Sequence, residues 1–92
     1  MLKHNSYFEG GVQSVGFERH GRRLTVGVID KGEFHFDTAS AERMTVLAGE
    51  LRVRIAGGDP DRYPAGTVFE ISANTGFDVS AELPSAYLCE FL

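Results

Sequence analysis

The stretch Gly32-Glu-Phe-His-Phe-Asp-Thr-Ala-Ser-Ala-Glu-Arg-Met-Thr-Val-Leu-Ala-Gly49 decides how the chain is read. Its first six residues alternate, with Phe34 and Phe36 on one side and His35 and Asp37 on the other. Residues two apart share a face of a strand, so the imidazole and the carboxylate project together. Alternation resumes from Arg43 to Leu47, with Glu42 opening the second run. Glu42 is expected to turn back toward His35 and Asp37 across a hairpin. Such a trio suits zinc, iron, manganese or nickel. The bare spacing H-x-D-x4-E is weak evidence, because polar strand segments produce it by chance.

The same rhythm extends outward in both directions. Val12 to Phe17, Leu24 to Ile29, Glu33 to Asp37, Leu51 to Ile55, Thr67 to Ile71, Gly76 to Ala81 and Ala86 to Leu92 all read as short strands. Eleven glycines punctuate them, and Gly57-Gly58-Asp59-Pro60 is a strong turn. No run sustains a 3.6-residue apolar repeat. The best helix candidate, Thr38 to Arg43, is about one turn long. The reading is all-β, and closure into a small barrel would remove the exposed edges that so many short strands create.

Size and charge narrow the function. The 92 residues suffice for one domain, 1–92, with an apolar content of 42%. A chain this short buries a modest share of its surface, which favours a homodimer. The net charge of -4 argues against a nucleic-acid partner, since no basic cluster exceeds His20, Arg22 and Arg23. Cys89 is the only cysteine, so no intrachain disulfide forms. No segment approaches the roughly 20 apolar residues of a membrane span, and the start lacks a signal-peptide run. The cytoplasm is the expected location.

Longer patterns carry a resemblance. Glu42, six residues and Gly49 match the second half of the first cupin motif. Gly58, Pro64 and Gly66 match the opening of the second. The second histidine of the first motif is replaced by Asp37, and the histidine of the second by Phe69. Across nearly the whole chain, the sequence resembles the small cupin-type pyrimidine/purine nucleoside phosphorylases. The match runs through M-L-x-x-N-x-Y-F-x-G (Met1 to Gly10), S-x-G-F (Ser14 to Phe17), V-G-V (Val26 to Val28) and G-E-F-x-F-x-T (Gly32 to Thr38). It continues through E-x-M-T-V (Glu42 to Val46), A-G-x-x-F (Ala65 to Phe69) and Y-L-C-x-F-L (Tyr87 to Leu92).

The resemblance implies a small cupin-like β-barrel of jelly-roll type. It implies an enzyme that splits purine and pyrimidine nucleosides with inorganic phosphate, giving free base and ribose 1-phosphate, with no cofactor and no required metal. Glu42 is then the first candidate to steady charge on the sugar, by analogy with glycoside cleavage. Asp37 could share that work, and Thr38 lies in a turn whose backbone N–H groups could cradle an anion. His35 could donate to phosphate or base, Phe36, Phe69, Tyr7 and Tyr87 could stack on base or sugar, and Arg23 is a candidate cation for phosphate. Each has a plainer reading, as a surface acid, a turn residue or a core aromatic. Two other functions stay open: a metal-dependent cupin enzyme using His35, Asp37 and Glu42, and a small-molecule-binding cupin without catalysis.

Overall fold

Alternation in the sequence becomes alternation between solvent and interior in ten strands. The computed structural model describes residues 1–92. Its strands are β1 (Lys3–Tyr7), β2 (Val12–Arg19), β3 (Arg22–Ile29), β4 (Gly32–Asp37), β5 (Glu42–Ala48), β6 (Glu50–Ile55), β7 (Asp61–Pro64), β8 (Val68–Ile71), β9 (Gly76–Ala81) and β10 (Ser85–Phe91). In β6, for example, Leu51 and Val53 are buried while Arg52 and Arg54 point to solvent.

There is no helix. The candidate at Thr38 to Arg43 is a bend that leads into β5. Its backbone groups are spent elsewhere. The Thr38 N–H donates to the Thr75 carbonyl at 2.7 Å, and the Ala41 carbonyl accepts from the Leu92 N–H at 2.8 Å.

All pairings are antiparallel. One sheet has six strands in the order β1-β2-β3-β10-β5-β8, and the other has four in the order β4-β9-β6-β7. The strands thus hydrogen-bond as two sheets laid face to face rather than as one closed barrel.

The expected hairpin between β4 and β5 does not form. β4 pairs with β9, whereas β5 pairs with β10 and β8. Consecutive strands therefore lie in opposite sheets, joined by the crossing at residues 38–41. Both apolar rings of β4 face the interior of the smaller sheet, and β5 completes the larger one.

The core gathers between the sheets. Met44, Val46, Phe69 and Ile71 enter from β5 and β8, and Leu51, Val53, Phe77 and Val79 from β6 and β9. Burying these side chains supplies the main drive for folding. Phe69 lies against Tyr63 with ring centroids 4.4 Å apart. Thr38 pins the crossing to the core: its buried hydroxyl shares its proton between the carbonyls of Ser72 (2.7 Å) and Thr75 (3.0 Å). It also accepts from the Thr75 N–H at 3.0 Å.

Candidate active site

The packing is uneven along the larger sheet. Its inner face can be followed row by row from the strand register. One row runs Lys3, Gly16, Thr25, Cys89, Met44 and Phe69. The next runs Asn5, Ser14, Gly27, Tyr87 and Val46. Toward β5 and β8 the side chains are large and meet the other sheet. Toward β2 and β3 they are small or absent, so the sheets cannot fill the space between them. A cavity of about 1020 Å³ remains there, of the size that holds a small organic ligand. Its far wall comes from the smaller sheet, through Phe36, Phe77 and Val79.

Gly27 shows how closely this face is fitted. A Cβ built there would stand 2.5 Å from both Cζ and Oη of Tyr87. The tyrosine ring lies flat across the glycine and carries its hydroxyl toward Ser14, the cross-strand partner of Gly27. Burial pushes the Tyr87 phenol up to about 12, opposed in part by the Ser14 hydroxyl. The phenol therefore keeps its proton at neutral pH.

The charged end of the cavity is a third row. Glu18 lies opposite Arg23, and Phe91 opposite Glu42. The Arg23 guanidinium sits over the Phe91 ring, 4.6 Å from its centre, close enough for a cation–π attraction. Arg43 and Arg62, by contrast, are tied up in salt bridges with Glu70, Glu90 and Glu50.

Glu42 is half-buried. Desolvation raises its pKa above the usual 4.5, while a hydrogen bond from Cys89 and the charge of Arg23 pull it down. The Cys89 thiol donates to Glu42 Oε1 at 3.4 Å. Burial and the neighbouring Glu42 charge push that thiol well up, so it is a poor nucleophile at neutral pH.

The residues singled out from the sequence divide into two groups. Glu42, Asp37, Arg23, Phe36, Tyr7 and Tyr87 all line the cavity. Phe69 does not; it is core, against Tyr63. Thr38 does not either, and its hydroxyl is fully engaged at the crossing.

His35 points away from the cavity, on the outer face of β4. Its Nε2 meets Asp37 Oδ1 at 3.0 Å and its Nδ1 meets Asp78 Oδ1 at 2.9 Å. Carboxylates only accept, so the arrangement is satisfied in full by the doubly protonated ring. The hydrogen bonds to Asp78 and Asp37 raise the His35 pKa above 6.5. With both nitrogens spent and Glu42 on the opposite sheet, the trio read as a metal site does not assemble. No three His, Cys, Asp or Glu side chains are gathered in a way that could hold a metal ion.

Sequence reading overlooked Asn5, Ser14 and Thr25, which line the cavity from β1, β2 and β3. Each is a small polar residue at an inward strand position; Asn5 and Ser14 stand in the motifs that carry the resemblance, and Thr25 had only its place in the alternation as a signal.

The antiparallel two-sheet frame is cupin-like. An RmlC-like cupin from Shewanella frigidimarina shares it, with a TM-score of 0.80 at 17% identity, covering 98% of this chain and 82% of that one. Sequence then gives the particular family. The family model for pyrimidine/purine nucleoside phosphorylase matches residues 2–91, and the chain belongs to that family.

A pyrimidine/purine nucleoside phosphorylase from Sorangium cellulosum is 69% identical over the full length of both chains. One from Anaeromyxobacter is 66% identical over all of this chain and 89% of its own. The crystal structure of a protein of unknown function from Vibrio parahaemolyticus superposes with a TM-score of 0.97 at 44% identity, covering 100% of this chain and 99% of that one.

Proposed function

We propose that the chain is a nucleoside phosphorylase acting on purine and pyrimidine nucleosides, with inorganic phosphate as co-substrate and no cofactor. Beyond family membership, one observation carries the reading. A half-buried carboxylate, Glu42, and an arginine without a salt-bridge partner, Arg23, share one row of a cavity lined by both apolar and polar side chains.

The reaction needs that pairing. A phosphate oxygen attacks C1′ of the ribose as the bond from C1′ to the base nitrogen breaks. The bonding pair leaves with the base, which then takes up a proton. Positive charge grows on the sugar between these events. Ionised Glu42 is placed to steady it and to hold the sugar hydroxyls, as carboxylates do in glycoside cleavage. Arg23 supplies a fork of donors for phosphate. Asp37, at the rim with its carboxylate accepting from His35, is a second candidate for the sugar hydroxyls. Phe36 and Tyr7 offer ring faces and edges to the base, a tolerant mode of binding because every base has a π-face.

Thr38, Phe69 and His35 take supporting parts in this scheme: the first two hold the frame, and His35 holds the Asp37 carboxylate. The metal-dependent alternative lacks an assembled ligand set, whereas the binding-only alternative differs simply in lacking turnover.

The proposal extends to a homodimer in the cytoplasm, binding neither nucleic acid nor membrane. Val15, Val26, Val28 and Val68 stand exposed on the outer face of the larger sheet, and a second copy covering them would remove that apolar surface from water. No helix is long and apolar enough to cross a membrane.

Release of free base from uridine and inosine, with and without phosphate, tests the activity on chelator-treated protein. Release that requires phosphate and survives chelation is expected. Base binding without release would favour the binding-only alternative.

A further inference from the structure

Asn5, Ser14 and Tyr87 lie in one row at the end of the cavity away from Arg23. Asn5 Nδ2 donates to Ser14 Oγ at 3.4 Å. The Tyr87 hydroxyl lies over Gly27, the residue paired with Ser14 across the strands. All three side chains line the cavity, and a bond between the Ser14 and Tyr87 hydroxyls would join them in a short relay.

Arg23 and Gly27 stand four positions apart on β3, and Tyr87 and Phe91 four apart on β10. At about 3.3 Å per residue this is roughly 13 Å, room for a base and sugar with phosphate at the far end. Stacked Phe36 and Phe77, 5.8 Å apart between ring centroids, belong to the wall the base would meet.

Such a relay has two settings. An amide carries a donor at one end and an acceptor at the other, and hydroxyl protons rotate to suit. In the first setting Asn5 donates to Ser14, and Ser14 donates to Tyr87. The Asn5 carbonyl is then left as an acceptor and the Tyr87 O–H as a donor. In the second the amide is turned over and every bond runs the other way. Tyr87 donates to Ser14, and Ser14 donates to Asn5. The cavity is then offered a donor at Asn5 and an acceptor at Tyr87.

Bases need both settings. Uracil and hypoxanthine present a carbonyl beside a ring N–H on one edge. Cytosine and adenine present an amino group beside a bare ring nitrogen at the same positions, with donor and acceptor exchanged. We infer that Asn5, Ser14 and Tyr87 are the base-reading residues, a relay of reversible polarity that accepts keto and amino bases in a single pose. The inference rests on the phosphorylase reading for its choice of ligand.

Replacing Asn5 with aspartate removes the donor at that end, because a carboxylate at neutral pH only accepts, and so denies the base the second setting. Steady-state kinetics of the full chain with uridine, cytidine, inosine and adenosine provide the test. In Asn5→Asp, the kcat/KM ratios of uridine to cytidine and of inosine to adenosine should both move by about tenfold or more, in the same direction. KM for phosphate should stay within about twofold.

Tyr87→Phe keeps the ring and removes the hydroxyl. It should raise KM for all four nucleosides about fivefold, again sparing phosphate. Unmoved ratios in a folded Asn5→Asp protein, or ratios that move in opposite directions, overturn the relay. So does unchanged nucleoside KM in Tyr87→Phe.

If the wild-type protein releases no base, the phosphorylase reading fails by itself. Calorimetry with free uracil, cytosine, hypoxanthine and adenine then decides the relay. Binding of both kinds by wild type and of one kind by Asn5→Asp sustains it, and any other pattern ends it.

Discussion

Glu42 combines two demands that usually conflict. Chemistry on the sugar requires its charge, and half-burial opposes that charge. The thiol of Cys89 and the guanidinium of Arg23 lower the cost without removing it. Two consequences are measurable. Glu42→Gln should lower kcat/KM for phosphorolysis by about tenfold or more while the fold survives. An unchanged rate in folded protein would take Glu42 out of the mechanism. In the wild type, activity should fall on acidification at a midpoint above 4.5.

Stability runs the other way. A carboxylate whose pKa is raised by folding favours the native state most below its unfolded pKa, and that contribution is lost as pH rises through the folded value. At pH 7 the ionised Glu42 is therefore a liability to the fold. Thermal melts should show Glu42→Gln at least as stable as the wild type.

At the scale of elements, what could be read from the sequence depended on burial. Strands with one face in the core, such as β6 and β9, announced themselves by alternation. β1 and β7 did not, because Lys-His-Asn-Ser-Tyr and Asp-Arg-Tyr-Pro each hold one aromatic ring among polar residues or proline and show no apolar period. Pairing was less legible still. Nothing local says that β4 joins β9 across some forty residues, and the assumption that neighbours in sequence pair put Glu42 beside His35.

The turn between β5 and β6 is a place where a single residue governs an element. Gly49 has a φ of 82°, and a Cβ there would collide with the Ser85 side chain. Gly57 has a similar φ of 73° with open space around its Cβ position. Urea unfolding should show Gly57→Ala losing about 1–2 kcal/mol for its left-handed backbone, and Gly49→Ala losing clearly more. Equal losses would mean that the Ser85 side chain moves aside freely.

Over the whole molecule, the candidate site draws on β1, β2, β3, β4, β5, β9 and β10. This is why the sequence offered Glu42, Tyr87 and Arg23 as separate suspects but could not bring them together. Asn5 was overlooked for the same reason: its role depends on strands far away in sequence. The outer face of the larger sheet poses a different question at this scale. Sedimentation should find a dimer, and Val26→Lys should shift it toward monomer by placing a charge among exposed valines. A monomeric wild type would remove the second copy from the account.

The uneven filling of the space between the sheets also divides the labour of selection. Val46, Leu51, Val53 and Ile71 answer for folding, and Asn5, Thr25, Arg23 and Phe36 are left to answer for what the protein handles. Mutations that change the ligand range therefore fall mostly where they cost little stability. A lineage built on this frame can explore new substrates without first accumulating reserves of stability.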